Sequence, residues 1–317
     1  GTKRGFGRPV DAGAILDLTK LSAISLYEPD ELVLTAAAGT PLSVIDHALR
    51  ENGQELAFEP VDFGPLFGVP ADCGTIGGIL AGNISGSRRI KAGAARDHFL
   101  GVRAVSGRGE LFKSGGRVVK NVTGYDLCKG LAGSWGTLAV MTEVTVKVLP
   151  AGEKTRTLFF SGLNDIDAMR AMSLAMASAY EVSGAAHLPA DVSASSALDS
   201  VRDCGQAVTA LRLEGFGASV DYRAQKLAEL LKEFGEGRTL TSKISPQLWR
   251  EISSASYFTK NTNLPLWRIS VPPMYGAEVI AQILPTLDAT YYYDWAGGLI
   301  WLQCPDTANA KAELVRR

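Results

Sequence analysis

The densest run of potential binding chemistry lies between Pro70 and Gly86, reading P-A-D-C-G-T-I-G-G-I-L-A-G-N-I-S-G. Glycines at 74, 77, 78, 82 and 86, with Gly68 just upstream, alternate with Thr75, Asn83 and Ser85. Glycine permits positive φ and close backbone approach. The run therefore reads as a surface of exposed amides and short hydroxyls. Asp72 or Thr75 is placed to cap a short helix whose first amides would stay free for a phosphate or another electron-rich group. A flexible loop is the competing reading. The spacing matches neither the G-x-G-x-x-G fingerprint of nicotinamide enzymes nor a G-x-x-x-x-G-K-[ST] phosphate loop.

Other reactive groups are sparse. The three histidines are His47, His98 and His187. The four cysteines, Cys73, Cys128, Cys204 and Cys304, are scattered without metal-type spacing. They read as reduced thiols of a cytosolic protein, and no metal site is expected. An iron–sulfur cluster needs grouped thiolates and would sit on a partner. Arg212, Arg250, Lys260 and Arg268 are cations able to meet a carboxylate, with a solvated surface charge as the alternative for each.

These residues must be held by a chain of 317 residues, a length that suggests two domains of roughly 150 each. A hydrophobic content of 46% is ample for two cores. The net charge of -1 gives no field to attract nucleic acid, which is set aside as a partner. No apolar stretch reaches the ~18 residues of a membrane helix, and no secretion signal is visible. Residues 32–36 read as a strand. Thr40 and Pro41 open a helix with Leu42, Ile45 and Leu49 buried and Gly53 ending it. Residues 138–149 alternate as a half-buried strand, with Val140, Thr142, Val144, Val146 and Val148 on one face. Pro150-Ala151-Gly152-Glu153 marks a domain boundary. Strands follow at 155–160, 208–213 and 266–271. Helices follow Asn164, with Ile166, Met169, Met172 and Met176 inward, and also cover 219–234, start at Ser245-Pro246, and cover 277–284. A hairpin surrounds Gly297-Gly298. The pattern suits an antiparallel sheet with helices on one face. The Met stripe reads as core.

Further phrases narrow the reading. After the glycine run come G-A-A-R-D-H-F-L-G from Gly93, K-N-V-T-G-Y-D-L from Lys120 and A-G-S-W-G-T-L-A-V-M-T-E-V from Ala132. In this order they resemble the FAD-binding domain of vanillyl-alcohol oxidase (PCMH-type) flavoproteins. N-I-S-G-S-R-R, V-K-N-V-T-G-Y-D-L and the late Y-D-W-A-G-G-L-I-W are similar to the family of FAD-binding E subunits of glycolate oxidase.

The resemblance implies an α+β fold: a two-domain PCMH-type FAD-binding fold, truncated at its N-terminus, with a smaller antiparallel α+β cap domain. The FAD-binding domain would cover 1–150 and the cap 151–317. Gly1 and Thr2 match the tail of the family's G-G-G-T pyrophosphate loop, so FAD binding is expected to be weakened or absent in a chain starting here. Asp72, Gly74, Thr75, Gly77, Gly78, Asn83, Ser85 and Gly86 would line the cofactor. Arg96 and Asp97 follow the family's R-D, with an ion pair across a turn as the alternative. The Val140 backbone would meet the adenine or the flavin ring, and Lys120 would place a charge near the flavin. No His or Cys occupies an attachment position in the loop tail, so FAD is expected to be noncovalent. Cys73 reads as a small buried residue, and His98 could approach the cofactor.

The implied role is electron transfer or support within a glycolate oxidase-like complex that oxidises a small 2-hydroxy acid. The implied partners are a homologous catalytic flavoprotein subunit and an iron–sulfur subunit. No catalytic residue is assigned, because catalytic relatives cluster histidines in the cap and this chain does not. The expected location is cytoplasmic, with attachment to the inner face of the membrane through partners. Two alternatives stay open: a self-sufficient 2-hydroxy-acid dehydrogenase using His98 or His187 as base, and a non-catalytic assembly scaffold.

Overall fold

A computed structural model describes residues 2–3, 5–7, 11–118, 124–305 and 315. The chain divides into two compact units, Gly1–Gly86 with Ala92–Ala151, and Ser87–Lys91 with Gly152–Arg317.

The first unit is organised by a five-stranded antiparallel sheet. Its strands are β1 (Ile24–Glu28), β2 (Val33–Ala37), β3 (Phe99–Ser106), β4 (Leu111–Gly115) and β5 (Ala139–Lys147), in the order β1-β2-β5-β3-β4. Val33 to Ala36 are all buried, as suits an inner strand covered on both faces. The helix expected after Pro41 is α1 (Leu42–Arg50), with Ile45 and Leu49 inward; α2 (Ile76–Gly82), α3 (Ala95–His98) and α4 (Leu127–Leu131) follow it in this unit. Thr40 does not cap it. Its hydroxyl accepts the Ala23 N–H (3.0 Å) and donates to the Ala23 carbonyl (3.1 Å), tying the start of β1 to the end of β2.

The strand expected at 138–149 forms, but its faces are not those of a simple alternation. Arg103 pairs with Glu143 while Ala104 pairs with Met141, so Thr142 is an extra residue on β5. A bulge of this kind reverses the side-chain phase. Val144 and Val146 stay buried, Met141 turns inward and Val140 is left half-buried on the opposite face.

The second unit holds a seven-stranded antiparallel sheet. Its strands are β6 (Lys154–Ser161), β7 (Gly184–Leu188), β8 (Val208–Gly215), β9 (Arg238–Leu240), β10 (Leu266–Ser270), β11 (Thr290–Asp294) and β12 (Leu299–Gln303). They run in the order β9-β6-β8-β7-β11-β12-β10. The helices are α5 (Asp165–Ala177), α6 (Gly217–Leu230), α7 (Ser245–Ser254) and α8 (Gly276–Ile283). Asn164 caps α5 by accepting the Asp167 N–H at 2.9 Å. Met169 and Met172 are core, packed with Leu158, Leu211, Val220, Leu227 and Ile280. Ile166, expected inward, is 68% exposed in the first turn.

Helices do not keep to one face of this sheet, as the sequence suggested. Leu158 and Leu211 pair in register and face the core of α5, α6 and α8. Thr157 and Arg212 pair one step along and face the other way, where α7 lies. Trp249 of α7 donates its indole N–H to the Thr157 hydroxyl at 2.8 Å, and Tyr292 donates to the Ile252 carbonyl at 2.6 Å.

Candidate functional site

The glycine run folds into the short helix α2 (Ile76–Gly82), with Thr75 as its cap. Thr75 Oγ1 accepts the Gly78 N–H at 3.3 Å. Asp72 is exposed, sits at φ +63° and donates its own N–H to Asp62 Oδ2 at 2.7 Å. Thr75 is therefore the cap and Asp72 is not. The first amides of the helix are not free. Ile76 N–H donates to the Thr40 carbonyl (3.1 Å) and Gly77 N–H to the Ala38 carbonyl (2.9 Å). Both acceptors belong to the chain leaving β2, so the helix start is docked on the sheet.

The small residues divide by task. A Cβ on Gly77 would stand 2.7 Å from both the Cβ and the carbonyl oxygen of Ala38, so glycine is needed for close packing. Gly74 gives its carbonyl to the Leu42 N–H at 3.0 Å, and Gly86 donates to the Glu59 carbonyl at 2.7 Å. Asn83 ends the helix at φ +47°, and its Oδ1 accepts the Arg96 N–H at 2.9 Å. Ser85 Oγ accepts the Ala95 N–H at 2.8 Å, and Asp97 Oδ2 accepts the Ala94 N–H at 2.8 Å. Asn83, Ser85 and Asp97 thus fold the turn 94–97 against the run. Arg96 and Asp97 are exposed and form no ion pair with each other among the described residues. The far end of the helix is closed by the G-S-W-G-T turn: Gly133 N–H donates to the Leu80 carbonyl and Trp135 N–H to the Ala81 carbonyl.

Gly78 is different. A Cβ there would meet Thr75 Oγ1 at 3.2 Å, a tight approach to the cap, and would stand in ordinary contact with Lys3 Nζ at 3.4 Å, which places a lysine ammonium beside the helix start. Lys3 donates to Thr2 Oγ1 at 3.3 Å, and Thr2 is buried. Burial lowers the Lys3 pKa, with the charge of Asp62 working the other way. Lys3 forms no ion pair within reach of its ammonium among the described residues. Phe6 anchors this segment, with ring centroids 5.6, 5.2 and 5.3 Å from Phe63, Phe67 and Trp135. A desolvated, unpaired ammonium beside small residues gains most from an anionic phosphate. The residues present therefore fit a pyrophosphate-bearing cofactor. Lys3, Phe6 and Asp62 were not singled out from the sequence, although Lys3 directly follows Gly1-Thr2. Gly1 and Lys120 lie outside the described residues.

Val140 lies on β5 beyond the reach of β2, whose last pair is Ala37 with Glu143. Among the described strands, Ala139 to Met141 pair only with β3, which leaves one backbone edge without a strand neighbour.

Two of the three histidines, His98 and His187, are buried, and His47 is not. His98 is fully buried, its Nε2 lies 2.9 Å from the Ala92 carbonyl, and burial lowers its pKa. Its ring centroid packs 5.4 Å from that of Phe58. His187 is 1% exposed, with Nδ1 2.8 Å from Thr209 Oγ1 and Nε2 3.3 Å from Asp165. His47 is exposed beside Glu51. Cys73, expected to be buried, is exposed, whereas burial pushes the Cys128 thiol up to about 11. Among the described residues no group of three His, Cys, Asp or Glu could hold a metal ion.

Comparison with known proteins agrees with this geometry. The FAD binding domain family matches residues 1–115. Glycolate oxidase subunit GlcE of Escherichia coli (strain K12) is 33% identical over 315 residues, 99% of this chain and 77% of that protein. Glycolate oxidase subunit GlcD of Bacillus subtilis (strain 168) is 31% identical over 150 residues, 47% of this chain and 30% of that protein. The crystal structure of p-cresol methylhydroxylase with substrate bound superposes with a TM-score of 0.71 at 16% identity, covering 99% of this chain and 71% of that one. The fold and the FAD-binding match define a PCMH-type FAD-linked oxidoreductase. Within that class, the chain belongs to the family of glycolate oxidase E subunits.

Proposed function

We propose that this chain is the FAD-binding subunit of a glycolate oxidase-like complex that oxidises a small 2-hydroxy acid. The observation that carries the reading is the similarity to the E subunit across nearly the whole chain. The site supports it: Lys3, Thr75 and Gly78 would hold the pyrophosphate, and the open backbone edge at Val140 would lie along the cofactor. Asp72, Gly74, Gly77, Asn83, Ser85, Gly86, Arg96 and Asp97 shape that cradle through the backbone contacts described above. FAD supplies two-electron acceptor chemistry when bound. Attachment is noncovalent in this reading.

The subunit's role is electron transfer or support for a homologous catalytic flavoprotein subunit, with an iron–sulfur subunit as the onward acceptor. The burial of His98 and His187 favours this over a self-sufficient dehydrogenase, because a general base must come within hydrogen-bond reach of the proton it removes. The complex is placed in the cytoplasm, held at the inner face of the membrane through its partners.

The test is the visible spectrum of the full-length protein during anaerobic addition of glycolate. Flavin bands that persist until the partner subunits are added support the reading. Bleaching of the subunit alone, at the rate of the complex, contradicts it.

A further inference from the structure

Two of the phrases that mark the narrower family, S-R-R at Ser87 to Arg89 and Y-D-W at Tyr293 to Trp295, lie about 200 residues apart in sequence and meet inside the second unit. Ser87 donates its hydroxyl to Asp294 Oδ2 at 2.7 Å. Arg88 forms two parallel bonds with Glu214, Nε to Oε2 and Nη2 to Oε1, each 2.9 Å. Between them these contacts lock the segment Ser87–Lys91 onto the unit. The guanidinium of Arg89 then lies over the Trp295 ring, 4.2 Å from its centroid.

Trp295 is itself held in an unusual backbone. It has φ +53°, Ala296 φ +56° and Gly297 φ +95°, three left-handed residues in succession. The Trp295 N–H donates to Asp294 Oδ1 at 2.7 Å, which fixes the turn. Strain of this kind persists only where the surroundings enforce it, and it is concentrated at ligand clamps.

A second guanidinium shares the same ring. Arg268, on β10, lies 4.8 Å from the Trp295 centroid and 5.9 Å from that of Trp301. Arg268 pairs in register with Trp301, which puts both side chains on one face of the sheet. More than a third of its surface meets solvent, and it has neither a hydrogen bond nor an ion pair among the described residues. The protein around it and the charge of Arg89 bring its pKa down to about 10, while Asp294 works in the opposite sense. Arg212, by contrast, is buried against Glu214. Of the four cations the sequence offered for a carboxylate, Arg268 is the one with an aromatic platform and an unfilled donor fork.

We propose that Arg268, with Arg89 beside it and Trp295 as its floor, binds the carboxylate of a small organic acid. A planar carboxylate matches the guanidinium fork through two parallel hydrogen bonds. It also neutralises the repulsion between two like charges held over one buried ring. The choice of a 2-hydroxy acid as ligand rests on the functional reading above; the anion site itself does not.

The experiment is a titration of ¹⁵N-labelled full-length protein with glycolate, inorganic phosphate and uncharged ethylene glycol, following the Trp295 indole resonance assigned with Trp295→Phe. Flavin content is measured by absorbance on the same samples. Glycolate should shift the Trp295 signal saturably, ethylene glycol should not, and phosphate should bind more weakly. Arg268→Gln should weaken glycolate binding about ten- to hundred-fold, with flavin content and melting temperature unchanged. Arg268→Lys should recover part of the loss. Equal binding of phosphate and glycolate overturns the carboxylate assignment, as does unchanged glycolate affinity in Arg268→Gln. Loss of flavin in Arg268→Gln also overturns it, by making Arg268 a cofactor contact. Failure of wild-type protein to take up FAD, with Arg268-dependent glycolate binding intact, leaves this site standing and removes the functional reading instead.

Discussion

Two polar clusters, one in each unit, are built in opposite ways. In the first, Asn83, Ser85 and Asp97 bind backbone amides, and the glycine run is docked rather than loose. Its notable cation, Lys3, lies beside small residues with the charge of Asp62 nearby but no carboxylate in ion-pair contact among the described residues. The Glu214 cluster of the second unit, unlike the open Arg268 there, buries opposite charges together. Glu214 is gripped by Arg212 at 3.3 Å and Arg88 at 2.9 Å and accepts the Ser183 hydroxyl at 2.6 Å. The first arrangement prepares a place for an incoming anion, and the second supplies its own. A charge cluster that is already complete is architecture; one lacking its counter-ion points to a ligand.

The strongest way to break the contrast is Glu214→Gln. It leaves two guanidiniums with a neutral partner in a buried setting and should cost about 3–5 kcal/mol, seen as a lower denaturant midpoint. The same group governs acid stability. Burial alone would raise the Glu214 pKa, but the charges of Arg212 and then Arg88 outweigh it and hold it at about 2, below the ordinary 4.5. Its contribution is therefore complete above pH 4.5 and fades as pH falls toward 2, a loss of about 3 kcal/mol across that window. Glu214→Gln should flatten that part of the stability–pH curve, whereas an unchanged slope would remove Glu214 as the cause.

In the first unit the effects should be smaller. Gly77→Ala drives a methyl into the Ala38 backbone and should cost about 1–3 kcal/mol, despite the better helix propensity of alanine. A neutral or raised melting temperature would show that the helix can move away from the sheet. Thr75→Ala removes the cap and should cost about 1 kcal/mol in the same melting experiment.

Local pattern made much of this legible. Val33 to Ala36, the Asn164 cap, the Met169 and Met172 core positions and the Gly297-Gly298 hairpin all follow from periodicity and turn chemistry. The rest depends on partners distant in sequence. The Thr142 bulge exists only relative to β3, so alternation alone put Val140 on the wrong face. Arg212 and Arg268 look alike as letters, and strand register alone makes one a buried ion-pair member and the other an open donor. The helix amides looked available because the Ala38 and Thr40 carbonyls that take them come from a segment some 35 residues earlier. The place of Lys3 is not legible locally, because the helix start it approaches is some 75 residues further along the chain.

The most direct test of the central claim is the flavin content of the purified full-length protein after incubation with FAD, read before and after acid precipitation. A visible flavin spectrum is expected, with FAD released intact into the supernatant at about one per chain and weaker retention in Lys3→Ala. A protein that stays colourless with FAD in excess would contradict it, as would flavin that remains with the precipitate.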